Sequence, residues 1–151
     1  MTYRTAVVLF NLGGPDSLAA VRPFLYNLFS DPDIFKFPLG ALTQKLFAWL
    51  IATRRTSEAT KGYAALGGKS PLLENTQRQA RALTQALATD GPFEIFVCMR
   101  YWHPRAAEVV TELKRRGFEH VVLLPLYPQY SLTTSGSSYN EFQRECGRAG
   151  Y

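Results

Sequence analysis

Cysteine is scarce in this sequence. Only Cys98, inside an apolar run, and Cys146 occur in 151 residues, which excludes a disulfide framework and leaves no thiolate spacing for a metal site within the chain. Such usage suits a reducing cytoplasm. No internal repeat or low-complexity tract appears, which excludes a solenoid, and 46% hydrophobic against 19% charged residues argues for a packed core rather than disorder. Long apolar runs are missing too. The stretch FKFPLGALTQKLFAWLIA at 35–52 is too short and too interrupted to span a bilayer, which takes roughly 20 apolar residues. The amino-terminal MTYRTAVVLFNLGG lacks the length of a cleavable signal and runs straight into a Gly-Gly-Pro turn, as a strand does.

A one-sided patch of charge is also lacking. The formal net charge is +5, but the basic residues are scattered, and the densest groups are Arg54-Arg55 and Lys114-Arg115-Arg116. The second group closes a helical pattern, where cations favour the macrodipole. This distribution points away from nucleic acid. The length fits one domain by the usual figure of roughly 100–200 residues.

What is present is a rhythm of strands and helices. Three apolar runs, AVVLFNL at 6–12, FEIFVCM at 93–99 and HVVLLPLY at 120–127, are rich in Val, Ile, Leu and Phe without clean alternation, which predicts strands covered on both faces. Asp16-Ser17 can cap a helix through about Leu28, and a second helix is predicted from about Leu42 to Ala52. A third begins or continues at Asn75-Thr76, with Ala80, Leu83, Ala86 and Leu87 as its stripe. Pro104 opens a fourth that ends at Gly117, and Ser137-Ser138 starts a fifth. Strands alternating with helices predict an α/β fold, a doubly wound parallel sheet with right-handed crossovers. The segment of about 80 residues between the first two strands far exceeds a βαβ minimum of ~30, so it carries a helical insertion.

In such a sheet, ligands bind beyond the carboxyl ends of the strands. Three strand ends are therefore candidates: Asn11-Leu12-Gly13-Gly14-Pro15, Arg100-Tyr101-Trp102-His103-Pro104, and Tyr127-Pro128-Gln129-Tyr130-Ser131 running on to Ser138. The two glycines either form a plain turn or let a ligand approach, and Trp102 and Tyr130 suit either core packing or stacking. Arg100, directly after a buried strand, needs a partner or open solvent. His103 reads as a hydrogen-bonded structural residue, with no second histidine near it. Gathered at one crevice, an arginine and aromatic faces suit a large, flat, negatively substituted ligand. Dinucleotide and P-loop signatures are absent, whereas SLTTSGSS fits a phosphate cradle of flavodoxin type at a helix start. In the middle segment, RRTSEATKGYAALGGKSPL at 54–72 reads as polar and turn-rich, and the apolar stretch before it suits core packing, a cleft rim or a membrane contact.

Taken together, FNLGGP at 10–15, TRRTSEATKGYAALGGKSP at 53–71, MRYWHP at 99–104 and YPQYSLTTSGSS at 127–138 closely resemble the amino-terminal half of ferrochelatase, in order and in spacing. The resemblance runs over nearly the whole chain and implies that residues 1–151 form the amino-terminal domain of a two-domain, chelatase-like (Rossmann-like) enzyme. It implies insertion of ferrous iron, as substrate, into protoporphyrin at the end of haem synthesis. By resemblance Arg55, Tyr63 and Ser70 match porphyrin-contacting positions and Leu12 an apolar lip. Gly13, Pro15, Arg54, Tyr127 and Ser131 complete the expected substrate-binding set, while Arg100 and Tyr101 match a cleft wall associated with positioning iron. The family's catalytic histidine and glutamate belong to a second domain, so this chain is expected to hold half of an active site and to be inactive alone. Nothing in the chain is assigned as a metal ligand. Where some relatives carry an iron-sulphur cysteine after QYS, this sequence has Leu132, and cluster status is left open. Porphyrin, ferrous iron and the missing domain are the implied partners, with cytoplasmic location and a peripheral membrane contact as further expectations. A non-catalytic tetrapyrrole-binding module and a flavodoxin-like phosphate module are the alternatives.

Overall fold

The structure is a computed structural model that describes residues 4–35 and 40–151. The parts of the sequence-based expectations that fall on Met1–Tyr3 and on 36–39 lie outside the described residues. Strands β1 (Thr5–Asn11), β2 (Phe93–Met99) and β3 (His120–Pro125) form a parallel sheet in the order β2-β1-β3, with Val8 facing Phe96 on one side and Leu123 on the other. Helices α1 (Val21–Phe29), α2 (Ala41–Ala65) and α3 (Leu72–Ala86) stand between β1 and β2 in the chain, and α4 (Ala106–Arg115) joins β2 to β3. One π-helical turn, Leu132–Gly136, leads directly into α5 (Ser137–Ala149).

The period of two along each strand sorts the core into layers. Ala6, Val8 and Phe10 pack with Val109, Val110, Leu113 and Phe142 of α4 and α5, while Val7 and Leu9 pack with Ala80 and Leu83 of α3. The central strand is thereby covered on both faces, as the apolar run predicts. β3 departs from that expectation. Val121 and Leu123 turn toward α4 and α5, but Val122 and Leu124 are 48% and 39% exposed, because α3 spans only β1 and β2.

Two helix expectations need correction. Asp16-Ser17 does not start α1; Ser17 Oγ accepts from the Ala20 amide at 3.3 Å, and the helix opens only at Val21. The later start places Pro23 in the first turn, where its missing N–H costs nothing. The polar segment after Ala52 is not a loop but a continuation of α2 to Ala65. It contains no proline, and its Arg, Lys, Glu and Ala are ordinary helix formers; the helix stops only where Gly67 and Gly68 both take φ of +89°. Thr53 and Thr56 return their hydroxyls to the carbonyls of Trp49 and Ala52 at 2.7 and 2.6 Å, so the threonines sit in the helix without unpaired groups. Core packing does not describe the first half of α2. Ala48 and Ala52 are buried, whereas Leu46, Phe47, Trp49 and Leu50 are all exposed.

These layers predict an asymmetric response to truncation. Leu113→Ala, at a fully buried position, should lower the unfolding free energy in urea by about 2–5 kcal/mol, and Leu124→Ala by less than about 1 kcal/mol. Equal losses would contradict the exposed face of β3.

Candidate functional site

The exits of the three strands are stitched together by main-chain bonds. The amides of Arg100 and Tyr101 donate to the carbonyls of Asn11 and Leu12 at 2.9 and 3.0 Å, and the Leu126 amide donates to Phe10 at 2.9 Å. Asn11 turns its side chain both ways, accepting from the Leu12 amide at 2.8 Å and donating to Thr76 Oγ1 at 3.0 Å. That second bond ties the turn after β1 to α3. The turn 67–71 is tied in as well, because the Ser70 amide donates to the Pro15 carbonyl at 2.8 Å.

Glycine is required twice at this edge. Gly13 has φ of +84°, and a Cβ there would stand 3.1 Å from both Met99 Cβ and the Trp102 nitrogen. A Cβ on Gly14 would stand 2.5 Å from Ser70 Cβ. The glycines thus let two loops close on each other, as the plain-turn reading has it.

Of the residues singled out in the sequence, Leu12, Gly13, Pro15, Tyr63 and Ser70 are brought together. Leu12, Tyr63 and Trp102 pack against one cluster formed by Val21, Phe24, Leu25, Ala52 and Tyr101. Arg54 and Arg55 are exposed on α2. Arg55 borders a groove between α1 and α2, a cavity of about 470 Å³ with Leu25, Leu28, Phe29, Glu58 and Ala59. Eight residues of helix separate Arg55 from Tyr63, about 12 Å along the axis at 1.5 Å per residue. Tyr127 lies in the other layer, half-buried against the cluster containing Phe10, with its hydroxyl 2.9 Å from Ser138 Oγ. Ser131 caps the π-helical turn by accepting from the Thr133 amide at 3.1 Å. Tyr130 and Leu132 are 67% and 73% exposed.

Arg100 borders a cavity of about 780 Å³ together with Asn27, Asp31, Arg105 and Glu141, and Tyr101 is not among its lining residues. Both are buried, Arg100 at 6% and Tyr101 at 0% exposure. Arg100 donates through Nε to Ser137 Oγ at 2.6 Å and through Nη1 to Glu141 Oε2 at 2.7 Å, and its Nη2 pairs with Asp31 Oδ2 at 2.9 Å. Asp31 Oδ2 also accepts from Tyr101 Oη at 2.6 Å and from Ser137 Oγ at 2.5 Å. Arg105 Nη2 completes the group on Glu141 Oε1 at 2.6 Å. Burial alone pushes the Asp31 pKa up, but hydrogen bonds from Ser137, Tyr101 and the Asp33 amide, with the Arg100 charge, outweigh it and hold the carboxyl below its usual value. Burial, and then the bond to Asp31, push the Tyr101 phenol well above its usual value. The sequence reading missed Asp31, Ser137 and Glu141, whose side-chain partners lie 36–106 residues away.

The two cysteines fit no cluster of sulphur ligands. Cys98 is buried in β2 with its thiol pushed up to about 12, first by desolvation, and Cys146 lies apart in α5. Among the described residues no group of three or more His, Cys, Asp or Glu gathers to hold a metal ion. No described helix is long and apolar enough to cross a membrane.

A three-stranded parallel sheet with helices packed on it places the chain in the α/β class. The family is set by comparison: the ferrochelatase family model matches residues 4–150, and the chain belongs to that family. It is 52% identical over 141 residues to a ferrochelatase of Aquifex aeolicus, covering 93% of this chain and 44% of that protein. It is 54% identical over 134 residues to one of Gloeobacter violaceus, covering 88% and 41%. The chain therefore spans less than half the length of these curated relatives.

Two outcomes follow from this geometry. Gly14→Ala should cost about 1–3 kcal/mol in chemical denaturation, and Ser70→Gly in the same chain should recover part of that loss, a coupling that independent sites would not show. Asp31 has a lowered folded-state pKa, so its contribution is present above the unfolded value of 3.8 and is lost as pH falls through the folded one. Between pH 6 and pH 3 the unaltered protein should accordingly lose more stability than Asp31→Asn, measured by urea midpoints; equal losses would refute the ionised pairing.

Proposed function

We propose that this chain supplies the porphyrin-binding half of a ferrochelatase, in which ferrous iron enters protoporphyrin and two pyrrole protons leave. The carrying observation is the gathering of Leu12, Gly13, Tyr63 and Ser70 at one edge of the sheet, with Arg55 about 12 Å along the same helix. A disc needs apolar and aromatic walls at its centre and a cation at its acidic rim. Leu12 and Tyr63 form such walls, the buried turn through Gly13 and Pro15 fixes where they stand, and Ser70 offers a hydroxyl. Arg55, with Arg54 beside it, takes a propionate by a charge-assisted hydrogen bond. Tyr127 and Ser131 bound the far side from the third strand. Arg100 and Tyr101 act from beneath, since neither has a free polar group to offer iron.

The base and the metal route belong, in this reading, to the catalytic histidine and glutamate of a second domain. The exposed Leu46, Phe47, Trp49 and Leu50 beside Lys45, Arg54 and Arg55 support a peripheral contact with an anionic membrane surface.

Fluorescence titration with protoporphyrin tests the reading. The chain should bind, and Arg55→Ala should weaken binding by about tenfold, the worth of one hydrogen bond to a charged group at roughly 1.5 kcal/mol. Zinc insertion should be absent until the carboxy-terminal half of a relative is added. An unchanged affinity in Arg55→Ala would remove the propionate role, and insertion by the chain alone would sink the division of labour.

A further inference from the structure

Asp31 collects donors from three separate segments. Its Oδ2 takes Tyr101 Oη at 2.6 Å, Ser137 Oγ at 2.5 Å and Arg100 Nη2 at 2.9 Å, while Oδ1 takes the Asp33 amide at 2.9 Å. Those donors come from the loop after β2, the first residue of α5, and the turn that Asp31 itself opens after α1. One buried carboxylate thus joins three elements, and Arg100–Glu141 and Arg144–Asp33 reinforce the same junction at 2.7 and 3.6 Å.

Tyr101 passes that constraint to the slot. Its amide donates to the Leu12 carbonyl at 3.0 Å, its carbonyl accepts from Asn27 Nδ2 at 3.0 Å, and the Arg100 guanidinium lies 4.8 Å from its ring centroid. The next residue, Trp102, stands so close that a Cβ on Gly13 would be 3.1 Å from its nitrogen. With the residue held at hydroxyl, ring, amide and carbonyl, a shift at Tyr101 Oη has no slack to be absorbed before it reaches Leu12, Gly13 and Trp102.

We infer that Asp31 is a positioning residue for the tetrapyrrole slot: through Tyr101 it sets where the Leu12–Gly13 turn and the Trp102 wall stand against Tyr63, and so the tilt at which the macrocycle is held. The inference rests on the porphyrin-binding reading given above. It separates two properties of the slot. Affinity comes from Arg55 and the apolar walls, whereas orientation comes from a residue that never touches the ligand. A small misplacement of a reacting ring is costly to chemistry even where binding is unchanged, with about 1 Å worth roughly a hundredfold in rate.

Asp31→Asn keeps the shape and leaves Arg100 paired with Glu141, and Tyr101→Phe removes a single hydroxyl. The measurement is protoporphyrin titration of the chain, read both as Kd by fluorescence and as ellipticity in the Soret band, which reports the orientation of the bound ring. Both variants should keep Kd within about threefold and lose about half or more of the Soret ellipticity. Leu113→Ala, buried far from the slot in α4, should keep the ellipticity of the unaltered chain. If Asp31→Asn does not fold, Tyr101→Phe decides alone. Unchanged ellipticity in Tyr101→Phe, or an equal loss in Leu113→Ala, would overturn the positioning role while leaving the slot intact. No binding by the unaltered chain would instead overturn the slot reading, and the positioning role with it.

Discussion

A guanidinium cannot shed its charge, so an arginine at 6% exposure must be matched by carboxylates in the same interior. Arg100 is matched by two, Asp31 and Glu141, and the second is shared with Arg105. Four charges then balance in pairs, and each oxygen and nitrogen has little freedom to move. Removing one partner would strand a buried ion, which ties the ends of α1, β2 and the start of α5 to a common geometry. The arrangement of loops at the sheet edge depends on this group more than on any apolar contact. Apolar packing tolerates sliding by a fraction of an ångström, while a web of charge-assisted hydrogen bonds is directional.

Above that web, α2 has a different job. A helix of 25 residues with its first half only partly covered presents one face to α1 and leaves another to solvent. Ala52 and Ala59 let the two helices approach, and Tyr63 closes the same face near Leu12. The exposed Trp49 lies 5.7 Å from the Arg22 guanidinium, so even the solvent side carries organised aromatic and cationic groups. The segment is at once wall, rim and outer surface, which explains why its sequence mixes apolar and basic residues without a single period.

The sheet was legible because its strands are short apolar runs between glycine and proline signals, and β1 to β3 fall where those runs predict, within two residues at either end. The covering of β3 was not legible: periodicity reports hydrophobicity, and the layer that covers it depends on helices elsewhere in the chain. Polar composition misled at 53–65, where a solvated helix and a turn-rich loop draw on the same residues, and only the glycine pair at 67–68 marks the true end. The gathering of loops at the carboxyl edge was legible in part. Strand-end position alone placed Leu12 and Gly13, and the order of motifs added Tyr63 and Ser70. Asp31, in a Ser-Asp-Pro-Asp string that looks like an ordinary turn, carries no local sign of burial. Its role rests on Tyr101 and Ser137, 70 and 106 residues away, and on Arg100.

The two histidines make the division of labour in the proposed reading concrete. His120 opens β3 opposite Thr5, at the amino edge of the sheet, and the proposed slot is at the carboxyl edge. His103 follows Trp102 but points its Nδ1 to Glu108 Oε2 at 2.8 Å, with its side chain 60% exposed. Glu108 in turn accepts from the Arg105 amide at 2.7 Å, so that pair belongs to the start of α4. The buried carboxylates Asp31 and Glu141 are paired with arginines, and the Tyr101 phenol is held in its neutral form by burial. In the proposed reading, what this half presents to a macrocycle is apolar and aromatic at its centre and cationic at Arg55. A wall of that kind orients a ring without reacting with it, and proton transfer in the proposed enzyme falls to the facing half.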